Sequence, residues 1–207
     1  TISYLGRIAA AGFPTDPPDL WSRVEELIRR LAERLAAQGG TGRAVQTHGD
    51  LHLGQIIMTE EGYAVLDLEG EPLAQGTEEI FYTTPLRDLA GLVRSFSYAG
   101  MAALLALRTA RRLTPEADAT ARFLAERFAE RAGETLFQLY LAEMARLAPG
   151  LLPPEARTIV DLLDLCRIER ACYEILYEMA HRPAWTEIPL AGLRAILAQR
   201  AKMEVGN

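Results

Sequence analysis

Apolar residues recur at helical spacing from about Asp19 to Ala37, with Leu20, Val24, Leu27, Ile28, Leu31 and Leu35 on one face and Gly39 as a stop. The period then changes. Ile56 to Thr59 and Tyr63 to Leu68 are β-prone runs bounded by Glu60, Glu61 and Gly62, a pattern that predicts a hairpin. After a less regular connector, Ala74 to Thr84, a helix opens at Pro85 to Asp88 and continues through Met101 to Arg112. Thr114, Pro115 and Glu116 mark a fresh start. The stretch from Pro115 to Leu147 predicts one or two packed helices, with Phe123, Leu124, Phe128, Leu136, Leu139 and Tyr140 as core candidates. Pro149 to Pro154 break the chain, and a further helix is expected from Glu155 to His181. Residues 1–18, with three prolines, read as a loosely structured lead-in. The fold class that follows is mainly α with a small β-hairpin, without a linker, repeat or low-complexity tract to divide residues 1–207.

Composition narrows the function classes. The chain has 207 residues, 49% of them hydrophobic, enough for a good core. Its net charge of −6, with no run of Arg forming a stripe, argues against nucleic acid as a partner. No stretch is read as approaching the roughly 20 apolar residues of a membrane span, and the first residues lack a charged-then-apolar leader pattern. The expectation is no membrane partner and a cytoplasmic location. Cys166 and Cys172 lie six apart on one predicted helix and point to different faces, so they are expected to pack rather than pair.

The chemistry concentrates in residues 44–72, AVQTHGDLHLGQIIMTEEGYAVLDLEGEP. Gln55 lies five residues past Asp50, and Asp67 lies twelve past Gln55, across the predicted hairpin. An alcohol attacking a γ-phosphate needs a carboxylate to orient it and take its proton, a role that suits Asp50. Magnesium on the phosphates takes a few hard oxygen ligands from the protein and keeps water and phosphate for the rest, which suits Gln55 and Asp67. The protein kinase pattern HRDxxxxN has the same Asp-to-amide spacing, with Asn in place of the longer Gln. His48 reads as structural support for the loop, and His52 as a candidate contact to nucleotide or sugar. Glu69 and Glu71 either steady metal-bound water or an Arg side chain, or simply form an exposed acidic loop.

The expected last helix ends in a second cluster. Tyr173 and Tyr177 are four apart, as are Glu174 and Glu178, so rings and carboxylates fall on adjoining stripes, and Arg182 and Trp185 extend the same end. Rings stack on the C–H faces of sugars and charged groups bind hydroxyls, yet the same residues also suit a core face and an ordinary exposed ion pair.

HGDLHLGQ, LDLEGEP, PLRDLAGLVRSFSYA, YEILYEMAHRPAW and IPLAG, in that order, resemble the C-terminal lobe of bacterial maltokinases. These are ATP-dependent sugar kinases related in fold to the aminoglycoside phosphotransferases and protein kinases. The resemblance covers residues 44–192 and is loose over 1–43. It implies the helical C-terminal lobe of a kinase-like fold, ATP and Mg²⁺ as cofactors, and maltose phosphorylated to maltose 1-phosphate for α-glucan synthesis. Asp50 is then the base, Gln55 and Asp67 are the metal ligands, and Asp88 braces the catalytic loop. His52, Tyr173, Glu174, Tyr177, Glu178, Arg182 and Trp185 become acceptor-site candidates within residues 155–192. A glucosamine or aminoglycoside kinase would use the same loop, and a catalytically dead binding module is the non-enzymatic alternative.

Such kinases grip ATP with a strand-borne lysine ahead of the catalytic loop. The one lysine here is Lys202, and GGTG at residues 39–42 follows a helix rather than a strand. The chain is therefore expected to be a lobe of a larger enzyme, with a nucleotide-gripping N-terminal lobe supplied from outside it. Fusion to a trehalose synthase-type partner is a further implication of the resemblance.

Overall fold

The stripe beginning at Leu20 folds as an 18-residue helix, Leu20–Ala37, with all six of its apolar markers buried. The computed structural model describes residues 2–10, 18–38, 40–68 and 82–205. Six helices are described, α1 (Ile2–Ala10), α2 (Leu20–Ala37), α3 (Leu86–Ala110), α4 (Pro115–Leu147), α5 (Ala156–His181) and α6 (Glu187–Val205). Four short strands accompany them, β1 (Val45–Gln46), β2 (Ile56–Thr59), β3 (Gly62–Val65) and β4 (Tyr82–Thr83). They form two compact units, one of residues 1–41 and 155–207, the other of residues 42–154.

The first unit is a helical core. Ile8 of α1, Val24, Leu27 and Leu31 of α2, Ile168 and Ile175 of α5, and Leu193 and Ile196 of α6 meet in one cluster. Within the segment expected to be a loose lead-in, residues 2–10 are helical because Tyr4, Leu5 and Ile8 lie within one turn and pack against that core. Helix α6 was not read from the sequence, where Pro189 and Gly192 obscure the pattern. Pro189 falls in the first turn, where its missing N–H costs no helical hydrogen bond.

Buried charges also tie this unit together. Asp161 of α5 is fully buried; Arg34 of α2 donates to its two oxygens at 3.0 and 3.2 Å, and Arg200 of α6 donates to it at 2.6 Å. Arg200 also donates to Asp164 at 2.6 Å, and Arg167 to the other Asp164 oxygen at 3.1 Å. Burial alone would lower the Arg200 guanidinium; the Asp164 and Asp161 carboxylates outweigh it and raise its pKa.

In the second unit α3 and α4 form an antiparallel hairpin. Along α3, Pro85, Val93, Gly100 and Arg108 meet Tyr140, Gly133, Ala125 and Asp118 of α4 in reverse order. Small residues set the closest approach along this seam. A Cβ on Gly100 would come within 2.8 Å of the Ala125 carbonyl oxygen, so the two backbones approach closely there. Thr114 caps α4 by accepting from the Ala117 amide at 3.2 Å, with Pro115 in the first helical position.

This seam corrects the expected core of α4, which is one unbroken helix of 33 residues. Phe123, Leu124, Phe128 and Leu139 are exposed, and Leu136 and Tyr140 are half-buried. Glycine and alanine set the closest approach to α3, and Phe128, half exposed, meets Phe96 of α3 edge to face at 6.1 Å between ring centroids. Helix α3 corrects a second expectation, since it is long and apolar enough by length and composition to cross a membrane. A third of that window is buried against the rest of the unit, and its polar side chains hold the loop described next.

Candidate functional site

Antiparallel pairing of Val45 with Thr83 and of Gln46 with Tyr82 delivers the chain to Thr47 and His48, both buried. Gly49 follows at φ 84°, a left-handed conformation suited to glycine. Asp88, in the first turn of α3, accepts the His48 amide at 2.8 Å and the Gly49 amide at 2.9 Å, one on each carboxylate oxygen. The His48 ring uses both nitrogens: Nε2 lies 2.7 Å from the Leu66 carbonyl oxygen, and Nδ1 accepts from the Asp50 amide at 3.3 Å. Those partners fix the neutral tautomer with the proton on Nε2.

Past Asp50, His52 does not point away from the loop. Its Nδ1 accepts from the Gly54 amide at 3.0 Å, capping a single turn of 3₁₀ helix over Leu53–Gln55. The hairpin follows, with Ile56 opposite Val65 and Thr59 opposite Gly62. The Leu66 amide extends this ladder by donating to the Gln55 carbonyl at 2.8 Å. Asp67 comes next, at φ 58°, an uncommon conformation that bends the chain out of strand geometry. Its Oδ2 accepts from Gln55 Nε2 at 3.0 Å. The hairpin thus brings Gln55 and Asp67 together, as their spacing predicts. Because Gln55 uses its nitrogen toward Asp67, its carboxamide oxygen keeps its lone pairs. Glu69 and Glu71 lie outside the described residues.

The other candidates belong to the first unit, at the C-terminal end of α5. Tyr173 is buried, meets Tyr4 edge to face at 6.3 Å between ring centroids and stacks on Tyr177 at 6.4 Å. Tyr177 is exposed and also stacks on His181 at 4.3 Å. Glu178 is almost fully buried, and Arg182 grips it with Nη2 at 2.6 Å and Nε at 2.9 Å. The Arg182 guanidinium lies 4.7 Å from the Trp185 ring centroid and 5.8 Å from that of Tyr177. Glu174, also buried, pairs with Arg170 at 3.7 Å. Sequence reasoning omitted His181, although its place four residues past Tyr177 is the signal for a shared helix face.

Residues 4–124, more than half of the chain, match the phosphotransferase enzyme family APH. The chain belongs to that phosphotransferase family. A glucosamine kinase of Streptacidiphilus jiangxiensis is 26% identical over 185 residues, covering 87% of this chain and 38% of that protein. One of Mycolicibacterium smegmatis is 27% identical over 180 residues, covering 83% and 41%. The chain thus spans about two fifths of the length of the curated relatives it matches. Among solved structures, a glucosamine kinase in complex with glucosamine, ADP and inorganic phosphate superimposes with a TM-score of 0.68 at 24% identity, covering 98% of this chain and 47% of that one. A second glucosamine kinase structure, crystal form B, gives 0.66 at 24% identity, with 96% and 44% covered. The mainly helical architecture with its small hairpin is that of this phosphotransferase and kinase-like fold. Sequence reasoning missed two residues that contact the loop, Gly91 and Ser95, because both meet residues some 40 positions upstream.

Proposed function

We propose that this chain is the catalytic and acceptor-binding part of an ATP-dependent sugar kinase. The observation that carries the reading is the meeting of Gln55 and Asp67 at 3.0 Å, beside a loop whose Asp50 follows two amides held by Asp88. Asp50 orients the attacking hydroxyl and accepts its proton. Gln55 through its oxygen and Asp67 through its carboxylate are the ligands for Mg²⁺. Two hard protein donors fit that ion, which keeps water and phosphate in the rest of its shell. When bound, it neutralises charge on the phosphates. Asp88 and His48 hold Asp50 in place, and His52 shapes the turn that carries Gln55. With ATP as donor, the proposed location is the cytoplasm, and the nucleotide-gripping lysine is proposed to come from a polypeptide region outside these 207 residues.

The acceptor proposed first is glucosamine, supported by the two curated relatives, both glucosamine kinases. Maltose is the second reading, supported by the HGDLHLGQ, EGEP and YEILYEMAHRPAW blocks and by one observation. Arg182 engages both oxygens of Glu178, and a neutralised pair suits hydroxyl groups better than an ammonium. In both readings Tyr177, Glu178, Arg182 and Trp185 contact the sugar, with Tyr173 and Glu174 behind them.

Phosphate transfer from ATP and Mg²⁺ to glucosamine, maltose, glucose and an aminoglycoside, by this chain and by a version extended at its N-terminus, tests the proposal. Transfer to glucosamine supports the first acceptor and transfer to maltose the second. No transfer to any sugar by either protein overturns the kinase reading in favour of a binding module.

A further inference from the structure

Asp88, Gly91 and Ser95 are spaced by three and four residues, which places them on one face of α3. Each meets a different point of the loop. Asp88 takes the amides of His48 and Gly49. Gly91 has no side chain, and a Cβ there would run into the carbonyl oxygen of Leu51. Ser95 Oγ accepts from the Leu53 amide at 3.2 Å while donating to the Leu92 carbonyl of its own helix at 2.6 Å. Leu53 opens the 3₁₀ turn that ends at Gln55, and the Gln55 amide closes that turn on the His52 carbonyl at 2.9 Å.

We propose that Ser95 is a positioning residue for Gln55, acting through the Leu53 amide. The proposal rests on the kinase reading insofar as Gln55 serves phosphoryl transfer. The geometry of the hydroxyl supports it. Ser95 spends its one proton on Leu92, which turns a lone pair toward Leu53. The 3₁₀ turn is short and internally bonded, so fixing its first amide fixes the exit of the residue two places on. Asp88 anchors the loop ahead of Asp50, and Ser95 anchors it ahead of Gln55. The two groups with separate proposed tasks therefore have separate anchors on one helix.

The test compares Ser95→Ala and Ser95→Thr with the parent protein. Exchange of the Leu53 amide with solvent deuterium is expected to quicken about tenfold or more in S95A, with amides inside α3 unchanged. Half-saturating Mg²⁺ is expected to rise roughly tenfold, read both from kinase rates and from titration of the Gln55 side-chain amide resonances, with the KM for sugar unchanged. S95T keeps the hydroxyl and is expected to restore both. An unchanged Leu53 exchange rate overturns the assignment. So does a loss of protection spread along α3, or a rise in sugar KM equal to the Mg²⁺ effect. Should the parent phosphorylate no sugar, the exchange rates and the resonance titration still decide the role of Ser95, and the kinase reading alone falls.

Discussion

His48 and Leu66 are joined by a hydrogen bond of 2.7 Å from the imidazole Nε2 to the main-chain carbonyl. This bond links the segment carrying Asp50 to the residue immediately before Asp67. The same ring accepts the Asp50 amide on Nδ1, so one side chain sets the separation of the proposed base and one proposed metal ligand. His48→Ala is expected to lower kcat by roughly 10- to 100-fold, the scale of a misplaced reacting group, with little change in the KM for sugar. A KM change as large as the kcat change would sink this role.

Asp50→Asn keeps the shape of the side chain and removes its basicity. Turnover is expected to fall by about 10²-fold or more while sugar binding, measured by calorimetry, stays within about twofold. A variant with near-parental kcat would rule Asp50 out as the base.

Gly91→Ala places a methyl group against the Leu51 carbonyl, where backbone cannot yield cheaply. The expected cost is about 1–3 kcal/mol in urea unfolding, together with a loss of kcat. Because the clash falls one residue after Asp50, a variant that loses stability but keeps full kcat would show that the helix, not the loop, absorbs the strain.

Trp185→Ala removes the ring beneath the Arg182 guanidinium. The KM for sugar should rise by roughly 5- to 30-fold, corresponding to about 1–2 kcal/mol of cation–π and stacking energy, with the KM for ATP nearly unchanged. Parallel rises in both constants would mark a folding defect instead.

Alkaline pH should weaken the fold through two groups, the buried Cys172 and the half-buried Tyr140. Burial pushes the Cys172 thiol from 9.0 up to about 12, and burial, with the Asp88 charge, pushes the Tyr140 hydroxyl from 10.0 up to about 12. Both pKa values are raised in the folded state. The stability they contribute is fully present below about pH 9 and is lost as pH rises toward about 12. Urea midpoints measured from pH 7 to 11 should stay flat and then fall. Cys172→Ala should flatten part of the decline, and alkylation at pH 8 should modify half-buried Cys166 well before Cys172. Equal labelling of the two thiols would contradict this.

Local signals carried much of the reading. The α2 stripe from Leu20 to Leu35 and the hairpin around Gly62 follow from period and turn chemistry within a few residues, and the hairpin alone brings Asp67 back to Gln55. What stayed hidden depends on distant partners. Leu124 and Phe128 have the four-residue spacing of a core stripe, but the closest approach of α4 to α3 runs through Gly133 and Ala125, which leaves both residues largely exposed, and no local pattern reveals which side of a helix its partner will choose. Gly91 and Ser95 are unremarkable in an Ala- and Leu-rich helix until the loop is laid across them. The capping of the Gly54 amide by His52 Nδ1 likewise shows only once the 3₁₀ turn is formed.

The charge network around Asp161 bears on how the far end of α5 can vary. Three arginines from three helices hold two aspartates on α5, and removing one partner of a buried pair costs about 3–5 kcal/mol. Rotating α5 about its axis would break several of these pairs at once, so its phase is keyed like a shaft in a slot. The residues at its far end, from Tyr177 to His181, belong to a helix whose azimuth is fixed about four turns away. Selection can therefore exchange the side chains at that end one at a time, since the mount that aims them does not depend on which ones are fitted.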